Sequence, residues 1–226
     1  MRRIGVITGL AAAVAALAVL VDSGRLASLD RFARSHLSPL QAGPAGRGRG
    51  EPLQLIAGAT DAIISVAGIA VSVLLVLLAA RRLTRSSRPQ LAGLWLGALT
   101  AGFAIELAAK AVVHQQHPDL RVICGGLGAG GFDASFPSGH AIRSMILAGM
   151  ASALWPHLRW RFVLAALAVD LALLLNGIHP LSDIVAGGMA GSALWLAVES
   201  LSRRLPPRSA AEPLSAAPAA AQPASG

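Results

Sequence analysis

The sequence predicts an all-α polytopic membrane protein with six transmembrane helices, and three observations carry that prediction. Its 226 residues are 54% hydrophobic, only 13% are charged, and the mean hydropathy is +0.63, so the chain lacks the polar surface a soluble domain of this length needs. Crossing a hydrocarbon core of about 30 Å takes about 20 helical residues. Apolar runs of that order lie near 4–22, 58–80, 91–113, 140–156, 160–178 and 181–201, which reads as one bundle and one domain over 1–204.

The first run follows Met1-Arg2-Arg3 and exceeds the roughly 7–15 apolar residues of a signal-peptide core, so it reads as a retained anchor. After it, Leu26, Leu29, Phe32, Ala33, His36 and Leu37 recur at helical spacing, with Arg25, Asp30, Arg31 and Arg34 on the opposite face. That pattern suggests an interfacial amphipathic helix, a solvated connector being the alternative. A Gly/Arg stretch over 43–50 ends this segment. In the third run Glu106 precedes Lys110 by four residues, a spacing that lets the two pair. Asp61, Asp170 and Glu199 read as inter-helix hydrogen-bonding groups, and Gly187, Gly188, Ala190 and Gly191 predict close packing of the sixth run. The tail, 205–226, is Pro, Ala and Ser with little apolar bulk and is expected to be disordered on the cytoplasmic side.

Orientation follows from the basic residues, which are retained on the cytoplasmic side in short loops. With the N-terminus inside, Arg2, Arg3, Arg81, Arg82, Arg85, Arg88, Arg159, Arg161, Arg203, Arg204 and Arg208 lie inside, and Arg25, Arg31, Arg34, Arg47, Arg49 and Arg121 outside. The net charge of +8 is therefore mostly a topology signal and a preference for anionic headgroups; no nucleic-acid motif accompanies it, and no nucleic-acid partner is expected. The single cysteine, Cys124, rules out an intramolecular disulfide and a cysteine-based metal site. His114 and His117 have no matching carboxylate cluster, so no metal and no cofactor is expected.

In that topology Lys110, His140 and His179 fall at the same outer level of the bilayer, where ionisable groups are costly and mark functional sites. The turn Pro137-Ser138-Gly139 into a helix starting near His140 offers backbone N–H groups, a hydroxyl and the positive end of a helix dipole to an anion. An imidazole beside it titrates near neutrality and suits a general acid. Asp183, four residues after His179, can hold one ring nitrogen protonated and leave the other as a nucleophile on phosphorus. Each piece also has a plain structural reading: a helix cap at Ser138 or Asp183, a snorkelling Lys110.

These segments resemble the type 2 phosphatidic acid phosphatase (PAP2) superfamily over 110–187. Pro137-Ser138-Gly139-His140 stands intact as the second family motif; His179, Ser182, Asp183 and Ile184-Val185-Ala186-Gly187 match the third; Lys110 and Pro118 match the first. The resemblance implies a PAP2-like helical bundle and metal-independent hydrolysis of a lipid phosphate through a phosphohistidine, with His179 the nucleophile, His140 the acid and Asp183 its orienting carboxylate. Lys110, Ser138 and Gly139 would bind the phosphate. Two family arginines are replaced, by His117 and by Leu173, removing planar forks that suit phosphate. Arg143, one turn after His140, is the candidate to grip the phosphate in place of the arginine replaced by Leu173; its alternative is snorkelling or pairing with an acid such as Asp170.

The function expected is an integral membrane lipid phosphatase acting on a phosphomonoester or diphosphate of an amphiphilic substrate. Its partners would be the bilayer and a membrane lipid phosphate or polyprenyl diphosphate, met at the periplasmic or extracellular side of the cell membrane. Transfer of the phosphoryl group to an acceptor other than water uses the same residues, and a catalytically inactive lipid-binding or transport relative is the reading from another class.

Overall fold

The computed structural model describes residues 2–37, 68–82, 89–114, 135–177 and 179–205. Their regular structure is entirely helical: α1 (Arg2–Asp22), α2 (Ala27–Leu37), α3 (helical residues 68–82), α4 (Pro89–Val112), α5 (Gly139–Leu154), a 3₁₀ turn (Pro156–Leu158), α6 (Arg159–Leu175) and α7 (Leu181–Ser202). Cys124, His117 and Arg121, the stretch 43–50 and the tail after Leu205 lie outside the described residues.

Each boundary has a local cause. α1 is Ala, Leu and Val nearly throughout and ends where Gly24 takes a φ of 71°. There Gly24 N–H donates to Val21 O at 2.9 Å and Arg25 N–H to Leu20 O at 3.0 Å, a Schellman closure that satisfies the last carbonyls. α4 opens on Pro89, whose missing N–H costs nothing at a helix start. α5 is capped by Ser138, whose Oγ accepts from Ala141 N–H at 3.4 Å. It stops at Trp155 because Pro156 follows, disfavouring helical backbone at the residue before it.

α5 lies at the centre, packed against α4, α6 and α7, while α1 lies along the far side of α7. Trp95, Ile142, Ile146, Met150 and Trp195 form the main apolar cluster. α5 and α7 approach closely at Gly187 and Gly191, where an added Cβ would collide with Ser138 O and Ile142 O respectively; Gly188 faces only Asp170 Oδ2, at 3.9 Å from such a Cβ. Ala190 is buried in the main cluster, so three of the four small residues that mark the sixth run pack inward and Gly188 does not. Outward faces are apolar, Val19, Val112 and Leu164 being 68%, 67% and 63% exposed, as surfaces in contact with hydrocarbon would be.

Among the described residues three helices, Arg3–Asp22, Gln90–Val112 and Leu181–Ser202, are long and apolar enough to cross a membrane, where the sequence predicts six crossings. α5 and α6 have 16 and 17 residues, about 24 and 26 Å of helix at 1.5 Å per residue. They fall short of the runs 140–156 and 160–178 because the Trp155-Pro156 break and Gly177, with a φ of 64°, trim them. The second run is described as helix only over 68–82.

α2 forms at the place the amphipathic pattern indicates, with Asp30 in its first turn and Arg34 and His36 in its last, charges that complement the helix dipole. Leu29, Phe32 and Leu37 are exposed, together with Arg31, Ser35 and His36, while Asp30, Ala33 and Arg34 turn toward the bundle.

Candidate active site

The site is built where the starts of α5 and α7 meet. Ser138 N–H donates to Asp183 O at 3.1 Å, tying the two helix starts together, and Ser138 is wholly buried. Its hydroxyl serves as the α5 cap, so the structural reading of this serine is realised. Phe136, ahead of a cis Phe136–Pro137 bond, is buried in a cluster with Val21, Val113 and Ala186. The turn is thereby held from α1, α4 and α7 at once.

His140, at the second position of α5, and His179, just before α7, bring their ring centroids to 6.1 Å at an interplanar angle of 57°. His179 Nδ1 lies 3.6 Å from Asp183 Oδ2, and the two side chains are 11% and 0% exposed. Both atoms are buried without a hydrogen-bond partner among the described residues. At 3.6 Å the pair is outside hydrogen-bond range. A buried polar atom left unpaired costs about 1–3 kcal/mol, so the physical drive is for this pair to close.

On the α4 side, Glu106 Oε1 accepts from Lys110 Nζ at 2.7 Å and Glu106 Oε2 from Arg143 Nη1 at 2.9 Å. A Cβ on Gly139 would fall on the Glu106 carboxyl group, so this acid sits against the first turn of α5, immediately beside His140. Lys110 and Arg143 are therefore gathered at the site by one shared carboxylate. Arg143 pairs with Glu106, not with Asp170, which accepts from Ser144 Oγ at 3.1 Å instead. Leu173, where the family pattern has arginine, is fully buried with Ala141, Leu174 and Ile184.

The polar face of α2, opposite Leu29 and Phe32, brings Asp30 to the start of α7. Asp30 of α2 accepts from Ser182 N–H at 3.0 Å through Oδ1 and from Ser182 Oγ at 2.8 Å through Oδ2. Ser182 Oγ also stands 3.4 Å from Asp183 Oδ1. Burial raises the Asp30 carboxyl above the usual aspartate value of 3.8, the Ser182 hydrogen bonds oppose that rise, the neighbouring Asp183 charge adds to it, and Arg34 opposes it. The only sequence signal was an acid within an otherwise basic face.

Among the described residues no group of three or more His, Cys, Asp or Glu side chains is placed to hold a metal ion. An all-helical bundle with membrane-length apolar helices, gathering two histidines, a buried aspartate and a lysine–arginine pair at one end, defines a helical membrane-type protein with a polar site set among its helix ends. The PAP2 superfamily model matches residues 90–205, just over half of the chain, and the chain belongs to that superfamily. Members of the superfamily are generally phosphatases and phosphotransferases. No curated protein and no solved structure matches the chain.

Proposed function

We propose that the protein is an integral membrane phosphatase that hydrolyses a phosphomonoester or diphosphate of an amphiphilic lipid through a phosphohistidine on His179. The observation that carries this reading is the buried His179–Asp183 pair at 3.6 Å with the His140 ring 6.1 Å from that of His179. Nδ1 of His179 is turned toward Asp183, which leaves Nε2 as the nucleophile. Nε2 attacks phosphorus as the bond to the leaving oxygen breaks, and the proton on His140 passes to that oxygen. Water then attacks the phosphohistidine and gives a proton to the now neutral His140; the N–P bond breaks and inorganic phosphate leaves. Lys110 and Arg143, brought together by Glu106, supply positive charge to the equatorial oxygens, with the Gly139 backbone as a further contact. The apolar tail of the substrate lies against the lipid-facing helices.

Purified protein assayed against phosphatidic acid, phosphatidylglycerol phosphate and a polyprenyl diphosphate tests the reading. His179→Ala is expected to abolish phosphate release while the melting temperature holds. Asp183→Asn should lower turnover by about two to four orders of magnitude, the scale of losing an orienting carboxylate. Acid-labile phosphate trapped on wild type and absent from His179→Ala identifies the intermediate. Turnover surviving in His179→Ala overturns the mechanism, and no turnover by wild type on any of the lipids favours the inactive lipid-binding relative, a reading to which the buried Leu173 lends support.

A further inference from the structure

Ser182 has one hydroxyl proton and two carboxylates within reach. The Asp30 oxygen is at 2.8 Å and the Asp183 oxygen at 3.4 Å, so the shorter contact takes the proton. Asp30 also accepts the Ser182 backbone N–H at 3.0 Å, which fixes Ser182 in the first turn of α7. Asp30 and Ser182 are 152 positions apart in sequence, and this contact joins α2 to the residue beside Asp183. A carboxylate that accepts a hydroxyl proton becomes a weaker base toward any second partner. Asp183 has one oxygen toward Ser182 and the other toward His179, so its hold on His179 depends on where the Ser182 proton goes.

We infer that Asp30 is a positioning residue for the reaction: by drawing the Ser182 hydroxyl proton to itself, it leaves Asp183 free to hold Nδ1 of His179. The inference rests on the reading of His179 and Asp183 given above and extends it to a helix outside the matched family region. Replacing Asp30 by Asn keeps an acceptor for the Ser182 N–H and puts an NH₂ donor beside Ser182 Oγ. The Ser182 proton then turns to Asp183 and weakens its grip on His179. Removing the hydroxyl with Ser182→Ala abolishes that competition whatever stands at position 30.

The test uses the full-length protein in lipid nanodiscs with two readouts: turnover of the lipid phosphate, and the Nδ1 proton resonance of His179 in ¹⁵N-histidine-labelled protein, assigned by its loss in His179→Asn. Asp30→Asn is expected to lower kcat about tenfold to a hundredfold, the scale of losing an outer partner that orients a functional histidine, with KM unchanged. The same variant moves the His179 resonance upfield. Ser182→Ala is expected to retain kcat and the low-field resonance on its own and to restore both in the Asp30→Asn background, which a general loss of packing would not do. An unmoved resonance in folded Asp30→Asn overturns the inference, as does unchanged kcat, or a rate in the double variant no better than in Asp30→Asn. If Asp30→Asn does not fold, Ser182→Ala decides alone: a tenfold loss of kcat or an upfield shift there means the hydroxyl supports Asp183, and the inference fails. If wild type turns over no lipid phosphate, the functional reading is lost and the resonances still decide the role of Asp30.

Discussion

At the scale of single residues the unusual feature is Glu106, a carboxylate shared by Lys110 at 2.7 Å and Arg143 at 2.9 Å. An acid between two cations leaves the cluster with one net positive charge and fixes both heads near the start of α5. Arg143 has a planar fork that can keep one edge on Glu106 and offer another to an anion; an ammonium at the same place is a point charge on a flexible stem. Arg143→Lys should therefore lower kcat/KM on the preferred lipid phosphate by about tenfold or more, the scale of one charge-assisted hydrogen bond, and Arg143→Ala by more. Wild-type kcat/KM in Arg143→Ala would remove the arginine from the phosphate site. Lys110, His140, His179 and Asp183 stand out in the chain because each belongs to a short local pattern, and the fold brings His140 to His179, His179 to Asp183 and Lys110 to Glu106. The hold of Glu106 on Arg143 was not legible, since it spans two helices. Nor was the role of Asp30, because helical periodicity reports which face a residue occupies and says nothing of which neighbour that face meets.

At the scale of elements, the site depends on how near α5 can come to α7. Gly191 sits under Ile142 O, and the nearest atoms an added methyl would meet belong to backbone and to Met145 Cβ, neither of which can swing away. Gly188, one turn-face removed, meets nothing nearer than Asp170 Oδ2 at 3.9 Å. Gly191→Ala should destabilise the protein by roughly 1–3 kcal/mol, the cost of overpacking a tight contact. Gly188→Ala should be neutral or slightly stabilising through helix propensity. Thermal melts in detergent micelles measure both, and equal effects would mean that α5 and α7 are not in this close register. The small-residue stripe was readable in the sequence as a packing signal, but the distinction between Gly191 and Gly188 was not, because it depends on the rotation of α7 about its own axis. Of the helix ends, the start at Ser138 was marked in the sequence, while the hydropathy runs passed over Gly24, Pro89 and Pro156, where α1, α4 and α5 are bounded. The shortening of the 140–156 and 160–178 runs follows from that same Pro156 and from Gly177, which hydropathy alone overlooks.

At the scale of the whole molecule, the bundle has two chemically different ends. At one, Arg3 and Arg159 meet Glu199 at 2.7 and 3.9 Å, Trp195 Nε1 donates to the same acid at 2.9 Å, and Arg82 and Arg159 lie over Trp155 and Trp195. At the other, Asp22 accepts from His114 N–H at 3.1 Å beside the turn that carries Ser138 and His140. Arginines gathered at one end are what a cytoplasmic membrane boundary favours, through basic-residue retention. The opposite end, with the histidines, should then face away from the cytoplasm. Single cysteines placed in a Cys124→Ser background can report this, since His114 is exposed at the histidine end and Arg203 follows α7 at the arginine end. In intact cells an impermeant maleimide is expected to label His114→Cys, and to label Arg203→Cys only after permeabilisation. The reverse pattern would turn the bundle over, put the His140–His179 site in the cytoplasm, and require a substrate in the inner leaflet.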